Sequence, residues 1–436
     1  MNATHARSTR RSLLKAAMAA GAAPLVLPAR LLRAGGAPSS QVALGVIGLG
    51  AQGQWDLRCF LKHKDVRVVA LCDVNRRNLE SGRHLVAGAG GGADVKAVAD
   101  FRELNADRSV DAVLMALPVH WHSLPALDAV RNGKAIYHEK PMAMSFEEAR
   151  RVREAVRAKG AVFQLGTQQR SDGRFRWACE LARNGRLGRL KEIHVSVPGG
   201  KRGPAFPEQP LPDYVDWDRW VGPAPMTPFS EEKLKRDNHE NMSPFSLGMI
   251  SCWGIHHLDI AQWGNGTDAT GPVAVEGEGE FPKEGGFDAI LRWKVRFEYA
   301  GAAPVVFVND GTPGFQHGVK LVGETGWVHV DRGRITAGDD ALLKDPQNAG
   351  GAMPVALPVS NDHVRNFLDA VKGKAPVLSG IEVAVRSDTL CQLALVAVKA
   401  GRKIAWDPAA ERIAGDDAAA AMLRARPFRG DWRLPA

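Results

Sequence analysis

A doubly wound α/β domain with a parallel sheet, followed by an α+β domain with an open, mostly antiparallel sheet, is the fold class that this sequence of 436 residues predicts. Three observations predict it. A glycine turn, Gly48-Leu-Gly50-Ala51-Gln52-Gly53, sits between a buried strand and a helix. Strands and helices then alternate as far as Leu165. Beyond Arg170 the alternation gives way to β-rich segments joined by glycine-rich turns. A composition of 45% hydrophobic and 24% charged residues over this length suits two hydrophobic cores.

The front of the chain stands apart from the rest. The formal net charge is +9, from 57 Lys and Arg against 48 Asp and Glu, but residues 1–40 hold six of the basic residues and no acid, leaving 51 against 48. No remaining Lys/Arg block suits a phosphate backbone, so nucleic acid is not an expected partner. Thr9-Arg10-Arg11-Ser12-Leu13-Leu14-Lys15, followed by an apolar run from Ala16 to Leu27, resembles a twin-arginine export signal. That run is well short of the roughly 20 residues a membrane span needs. The expectations are a signal and linker over residues 1–40, the twin-arginine export machinery as a partner, and a periplasmic or otherwise exported protein. A basic tail on a cytosolic protein is the alternative. The five cysteines are odd in number and show no C-x-x-C pair, which argues against a disulfide framework and against zinc.

From Val42 the apolar run Val-Ala-Leu-Gly-Val-Ile leads into the glycine turn, and a helical pattern through Trp55, Leu57 and Leu61 follows. Gly48 permits the tight turn, Gly50 lets the backbone approach a pyrophosphate, and Gly53 lets the helix pack closely on the strand, with the helix N-terminus facing the phosphates. A second strand, Val66 to Cys72, ends at Asp73, 20 residues after Gly53. A Rossmann fold places there the acid that binds the adenosine ribose. Asp73 argues for NAD, because a carboxylate repels a 2′-phosphate. Arg76 and Arg77 stand close enough to receive that phosphate, so NADP is the lesser alternative.

The alternation continues with a strand at Asp111–Leu117, a helix at His122–Asn132, a strand at Lys134–His138, a helix at Ser145–Lys159 capped by Ser145 with Glu148, and a strand at Ala161–Leu165. Residues 41–165 therefore form the dinucleotide-binding domain. Its ligand crevice lies at the carboxyl ends of the strands. Three clusters fall there: Pro118-Val-His120-Trp-His122, Glu139-Lys140-Pro141, and Gly166-Thr-Gln168-Gln-Arg170.

Glu-Lys-Pro after a strand, downstream of a Pro-x-His-x-His turn and a glycine fingerprint, resembles the glucose–fructose oxidoreductase, inositol dehydrogenase and rhizopine-catabolism family, Gfo/Idh/MocA. The resemblance runs from Val42 to about Pro408. It implies that Lys140 lies between nicotinamide and substrate, where it orients a hydroxyl and supports proton movement, with Glu139 and Pro141 shaping the turn. Gly48, Gly50, Ala51, Gln52, Gly53, Asp73, Arg77, Pro118, His120, His122, Glu139, Lys140 and Gln168 make up the expected cofactor-binding set. The bland reading of Lys140 is a surface lysine paired with Glu139. His120 and His122 are expected to hydrogen-bond the cofactor or the turn. With no carboxylate partner nearby, they are not expected to bind metal.

Residues 166–436 are the expected substrate-binding and oligomerisation domain. A helix at Arg174–Asn184 and a strand at Lys191–Val197 precede a proline-rich irregular stretch from Pro198 to Pro244, whose Trp217 and Trp220 suit either sugar faces or anchoring of the loop. Strands at Ala289–Tyr299, Val305–Val308, Val319–Val322 and Gly326–Val330 read as one open sheet with helices on one face, and an open face suits a homo-oligomer. A helix starting near Leu247 carries Cys252-Trp253-Gly254-Ile-His256-His257-Leu-Asp259. The resembled family shows Asp-x-Gly-x-His-x-x-Asp here, with its first Asp and the His at the substrate. This chain keeps Gly254, His256 and Asp259 but has Cys252 for the first Asp, and a thiol does not replace a carboxylate that carries a proton. His256 is the leading acid/base candidate and His257 its alternative. Arg170, Trp253 and Asp259 join Lys140 and His256 as substrate candidates. Helices at Asn361–Val371 and Gly380–Ala400 look structural; in the resembled family such helices brace the Rossmann domain.

Export poses a cofactor problem, since no nicotinamide pool is maintained outside the cytoplasm. Folded export with the dinucleotide already loaded answers it, provided the cofactor is held tightly and recycled. The expected activity is hydride transfer from a sugar or polyol hydroxyl to NAD(P). One alternative is a redox-neutral glycosidase or lyase acting through a transient 3-keto sugar. Another, motivated by Cys252, is a cofactor-loaded sugar-binding protein without turnover.

Overall fold

Strand β1 (Val42–Ile47) is buried along its whole length and anchors the first sheet. The structure is a computed structural model, and it describes residues 41–92, 95–344 and 353–435. The twin-arginine segment lies outside the described residues. After β1 come α1 (Ala51–Leu61), β2 (Val66–Cys72), α2 (Arg76–Gly88), β3 (Lys96–Val98), α3 (Phe101–Ala106), β4 (Ala112–Met115), α4 (Ser123–Arg131), β5 (Ala135–His138), α5 (Phe146–Lys159) and β6 (Phe163–Leu165). The six strands pair in parallel in the order β3-β2-β1-β4-β5-β6, the doubly wound Rossmann arrangement. The order in which strands are added reverses between β1 and β4, so the crevice opens where the glycine turn leaves β1. At the start of α5, Glu148 N–H donates to Ser145 Oγ, as a cap should. The Glu148 carboxylate is buried and accepts from the Ser123 and Ser145 hydroxyls instead of turning back to the Ser145 backbone.

The second sheet has nine strands. The chain continues through α6 (Gly173–Arg183) and β7 (Leu190–Val197), then α7 (Trp217–Val221), α8 (Glu231–Leu234), α9 (Arg236–His239), α10 (Met249–Cys252) and α11 (Gly254–Asn265). Next come β8 (Ala274–Glu280), β9 (Arg292–Glu298), β10 (Val305–Asn309), β11 (Gly318–Gly323), β12 (Trp327–Val330) and β13 (Ile335–Ala337). Helices α12 (His363–Val371) and α13 (Ile381–Ala400), strands β14 (Ile404–Asp407) and β15 (Arg412–Ala414), and helix α14 (Asp417–Ala421) complete it. The order is β13-β12-β11-β7-β10-β9-β8-β14-β15, antiparallel throughout except for the β7–β10 pair.

Alternation decides which face is covered. On β9, Trp293, Val295 and Phe297 point into the core, whereas Arg292 and Lys294 are exposed and Arg296 is half-buried. On the outward side Arg296 and His194 both pair with Glu192. Helices α11 and α13 pack against the sheet on the covered side. Helix α13 also packs on α5 of the first domain, so it is buried on nearly every side rather than amphipathic. Helix α12 returns to the first sheet, where Phe367 meets Phe60 and Tyr137 edge-on at 6.1 and 5.7 Å.

The stretch 198–244 is not irregular throughout, since it contains α7 to α9. Its Val215, Trp217, Trp220, Phe229 and Met242 form an apolar cluster with Phe245 and Phe287. It also crosses the carboxyl end of the first sheet. The Arg76 N–H donates to the Tyr214 carbonyl at 2.8 Å, and the Asp216 N–H to the Val74 carbonyl at 3.0 Å.

Candidate active site

The cleft at the carboxyl ends of β1, β2, β4 and β5 has a volume of about 550 Å³. The glycine turn shapes one end of it. Gly48 has φ +88°, where L side chains are strained, and a Cβ there would lie 2.2 Å from the Ala116 carbonyl oxygen. A Cβ on Gly53 would lie 2.0 Å from the Gly48 oxygen, whereas one on Gly50 would meet nothing within 4 Å. Gly53 thus permits helix packing and does not itself line the cleft, while Gly50 leaves room for a ligand. Asp73 borders the same space. It accepts from Leu49 N–H at 2.7 Å, Asn75 N–H at 2.8 Å and Asn78 Nδ2 at 3.2 Å, and burial raises its carboxyl above the ordinary value against the pull of those donors.

Eight residues of the expected cofactor set line the cleft: Gly48, Gly50, Ala51, Gln52, Asp73, Pro118, Glu139 and Lys140. The others are placed elsewhere. Arg77 lies over the Tyr214 ring at 3.5 Å and near Glu231, and Arg76 reaches Asp213, so both arginines serve the crossing stretch. His120 donates to the Trp220 carbonyl at 3.1 Å and packs against Phe245. His122 reaches the carbonyls of Pro141 at 2.6 Å and Leu117 at 2.7 Å. Both histidines brace the turn and neither contacts the cleft. Gln168 donates to Glu139 at 2.8 Å and holds that carboxylate in the cleft wall without lining it.

The substrate candidates divide in the same way. Arg170 and Asp259 are buried against each other at 2.7 and 2.9 Å, with Asp268 and Ser387 completing the network, so they form an internal ion pair. With 3% and 1% of their side chains exposed, neither is free for a substrate. His257 meets the Ser196 carbonyl at 3.2 Å and the His317 ring edge-on at 5.1 Å, and burial pushes it down to about 3. His256 is buried with its Nδ1 unpaired. Burial first, and then the charges of Lys140 and Arg332, hold it well below the ordinary histidine value. Trp253 stands edge-on to both rings and carries the Arg332 guanidinium 4.5 Å from its ring centre.

Lys140 sits at the end of β5, on a cis peptide to Pro141, and lines the cleft. Its Nζ is 4.0 Å from Glu240 Oε1. Glu240 also lies 4.0 Å from Arg236, which donates to Gln52 in the glycine turn at 2.9 Å. Behind them Glu139 and Asp56 are buried; burial raises both carboxyls, and the Glu139 charge raises Asp56 further.

Residues 42–167 match the NAD-binding Rossmann fold of the Gfo/Idh/MocA oxidoreductases, and residues 200–434, more than half of the chain, match the C-terminal alpha/beta domain of the same family. The chain belongs to the Gfo/Idh/MocA oxidoreductase family. Myo-inositol 2-dehydrogenase of Thermotoga maritima is 23% identical over 353 residues, 77% of this chain and 90% of that protein. A glycosyl hydrolase family 109 protein of Streptomyces niveus is 39% identical over 112 residues, 25% of this chain and 23% of that one. The WlbA dehydrogenase of Bordetella pertussis, solved with NADH and UDP-GlcNAcA, superposes with a TM-score of 0.62 at 16% identity, covering 84% of this chain and 99% of that one; this is likeness of fold alone. As a Gfo/Idh/MocA protein this chain is an NAD(P)-dependent oxidoreductase, and the glycine turn, the open space at Gly50 and the Asp73 carboxylate fit the dinucleotide.

Several residues of this Gfo/Idh/MocA site escaped the sequence reading. Phe101, Arg102 and Trp432 line the far end of the cleft, where Trp432 meets Trp121 edge-on at 4.9 Å and takes the Arg102 guanidinium 5.3 Å from its ring centre. Arg219, Arg236 and Glu240 come from the crossing stretch, beside Trp220, which the sequence offers for sugar faces or for anchoring. Trp220 stacks on Trp217 at 4.7 Å, which makes anchoring the first role of both. Trp432 had no local signal at all. Glu240 carried a weak one, a run of charges inside a proline-rich stretch.

Proposed function

We propose that this chain oxidises a hydroxyl of a sugar or polyol by hydride transfer, with NAD as the dinucleotide, held tightly and recycled. The observation that carries the reading is Lys140, a half-buried amine at the inner end of a dinucleotide cleft that is covered by residues 213–240 and Trp432. When bound, the nicotinamide supplies the hydride acceptor. Gly50 and the N-terminus of α1 take the pyrophosphate and Asp73 takes the ribose. Lys140 receives the hydroxyl proton. His256 is kept neutral by burial and by the two nearby cations, so it orients the hydroxyl by hydrogen bonding instead of taking the proton. NAD is favoured over NADP because Arg76 and Arg77 are turned to the crossing stretch, and Arg102, which lines the cleft, is held by both oxygens of Asp100.

Redox-neutral cleavage of a glycoside is the second reading, favoured by the match to the glycosyl hydrolase family 109 protein. Export through the twin-arginine route with the dinucleotide already loaded belongs to the same proposal. So does self-association through the outward sheet face, which light scattering tests. The deciding experiment denatures the purified protein, identifies any released dinucleotide by mass, and records its oxidation state before and after the intact protein meets myo-inositol and a panel of p-nitrophenyl glycosides. Reduced cofactor with a ketone product supports the dehydrogenase, and cleavage with the redox state unchanged supports the second reading. Saturable binding with no product supports a non-catalytic binding protein. Failure to bind any dinucleotide sinks all three.

A further inference from the structure

We infer that Glu240 is the carboxylate that serves Lys140, in the place a carboxylate at position 252 would otherwise fill. The inference rests on the proposed hydride-transfer reading for its chemistry, but its geometry stands apart from that reading.

Position 252 holds a thiol that is 1% exposed and lies 3.1 Å from the Ser246 hydroxyl. Burial pushes it up to about 12, so at neutral pH it stays a neutral S–H group that does not take up a proton. Glu240 and Lys140 are the charges felt most strongly at that thiol, which puts Cys252, Lys140 and Glu240 in one neighbourhood. Lys140 and Glu240 are 13% and 12% exposed, and both line the cleft. A pair so placed is screened far less than a surface pair. Their 4.0 Å separation is that of an ion pair one short side-chain movement from a hydrogen bond, the usual state of proton-transfer partners before substrate binds. Arg236 lies 4.0 Å from the same Glu240 oxygen and donates to Gln52 at 2.9 Å, which links the carboxylate to the glycine turn as well as to the lysine.

The step balances as follows. The substrate O–H bond breaks and its electron pair becomes the carbonyl π bond as hydride leaves the carbon for the oxidised nicotinamide. The proton forms a new N–H bond on Lys140 while one proton already on that nitrogen passes to Glu240 Oε1. Lys140 ends in the protonation state in which it began, and the one proton lost by the substrate ends on Glu240, which becomes the neutral acid. Glu240 acts through Lys140 and is therefore a positioning and proton-accepting residue, not one that touches substrate.

Two arms test this on the full-length protein. The first needs no substrate: acetic anhydride labelling of the intact protein, followed by quantitation of the Lys140 peptide by mass spectrometry. Glu240→Gln should label Lys140 at least threefold faster than wild type, because the carboxylate that stands 4.0 Å from the amine is gone, and Glu240→Asp should stay near wild type. Equal labelling of wild type and Glu240→Gln overturns the inference. Glu240→Ala replaces the glutamine variant if that one fails to fold. The second arm uses whichever glycoside or polyol the wild type turns over. There kcat should fall about 100-fold in Glu240→Gln with KM changed less than threefold, NAD affinity by fluorescence unchanged, and turnover partly restored in Glu240→Gln/Cys252→Asp. A fall in KM and NAD affinity together, with no rescue by the second carboxylate, also overturns it. A wild type that turns over nothing counts against the functional reading, while the labelling arm still decides Glu240.

Discussion

Gly50 and Gly53 lie three residues apart and fail differently when changed. A methyl group on Gly50 meets no protein atom within 4 Å, so Gly50→Ala should melt like wild type but lose NAD affinity by at least tenfold, because the methyl occupies ligand space. On Gly53 the same methyl is driven to 2.0 Å from the Gly48 oxygen, so Gly53→Ala should lower the melting temperature as well as the affinity. Calorimetry with and without NAD separates the two, and identical melting behaviour would refute the division of labour. Asp259 makes the complementary case. Asp259→Asn leaves the buried Arg170 with Asp268 as its one remaining carboxylate, which should cost about 3 kcal/mol in urea denaturation. NAD affinity should not change, because neither residue touches the cleft. A loss of affinity without a loss of stability would return Asp259 to the substrate site.

At the scale of elements, helix α13 reports on pH. Asp388 lies within it, accepting from Met142 N–H at 3.1 Å and Gln392 at 3.1 Å, and so tethers the helix to the turn that carries Lys140. Burial pushes its carboxyl up to about 7, with nearby Glu148 adding to the rise. A raised carboxyl binds its proton more tightly in the folded state. Its contribution to stability is therefore complete below the ordinary value near 4 and is lost as pH climbs through 7. Asp388→Asn removes that titration, so its stability relative to wild type should improve by about 3 kcal/mol between pH 5 and pH 8. Urea midpoints at the two pH values measure it, and a constant difference would mean that Asp388 ionises normally. The elements also mark how far sequence reading carries. Strands β1, β2, β4 and β5 are apolar runs next to glycine or helix signals, so local pattern identified them and the crevice rule then led to Asp73 and Lys140. Strand β8, Ala-Val-Glu-Gly-Glu-Gly-Glu, has no such pattern and is a strand because β9 and β14 pair with it. The crossing stretch escaped for the same reason: Trp217, Trp220, Phe229 and Phe245 share no period and meet only through tertiary packing. Glu240 and Arg236 escaped with it, whereas Arg170 and Asp259 were misplaced because an ion pair 89 residues apart in sequence leaves no local trace.

For the molecule as a whole, the second domain reaches back over the first. Residues 213–240 fasten to the end of β2, to Trp121 and to the glycine turn, and Arg429 fastens the segment that carries Trp432 to Asp218 and the Gly222 carbonyl. Trp432→Ala should therefore speed NAD release at least tenfold in a stopped-flow chase while leaving the unfolding free energy from urea denaturation within about 0.5 kcal/mol of wild type. Unchanged release would mean the indole is only a neighbour of the cleft. A cleft roofed in this way turns dinucleotide exchange into a question of segmental opening, whose rate follows the local stability of the roof. Concentrations of urea too low to melt either sheet should accelerate the swap steeply and reversibly, which offers a preparative handle: the native molecule could be emptied and refilled with deuterated, carba- or fluorescent NAD analogues without ever passing through the unfolded chain.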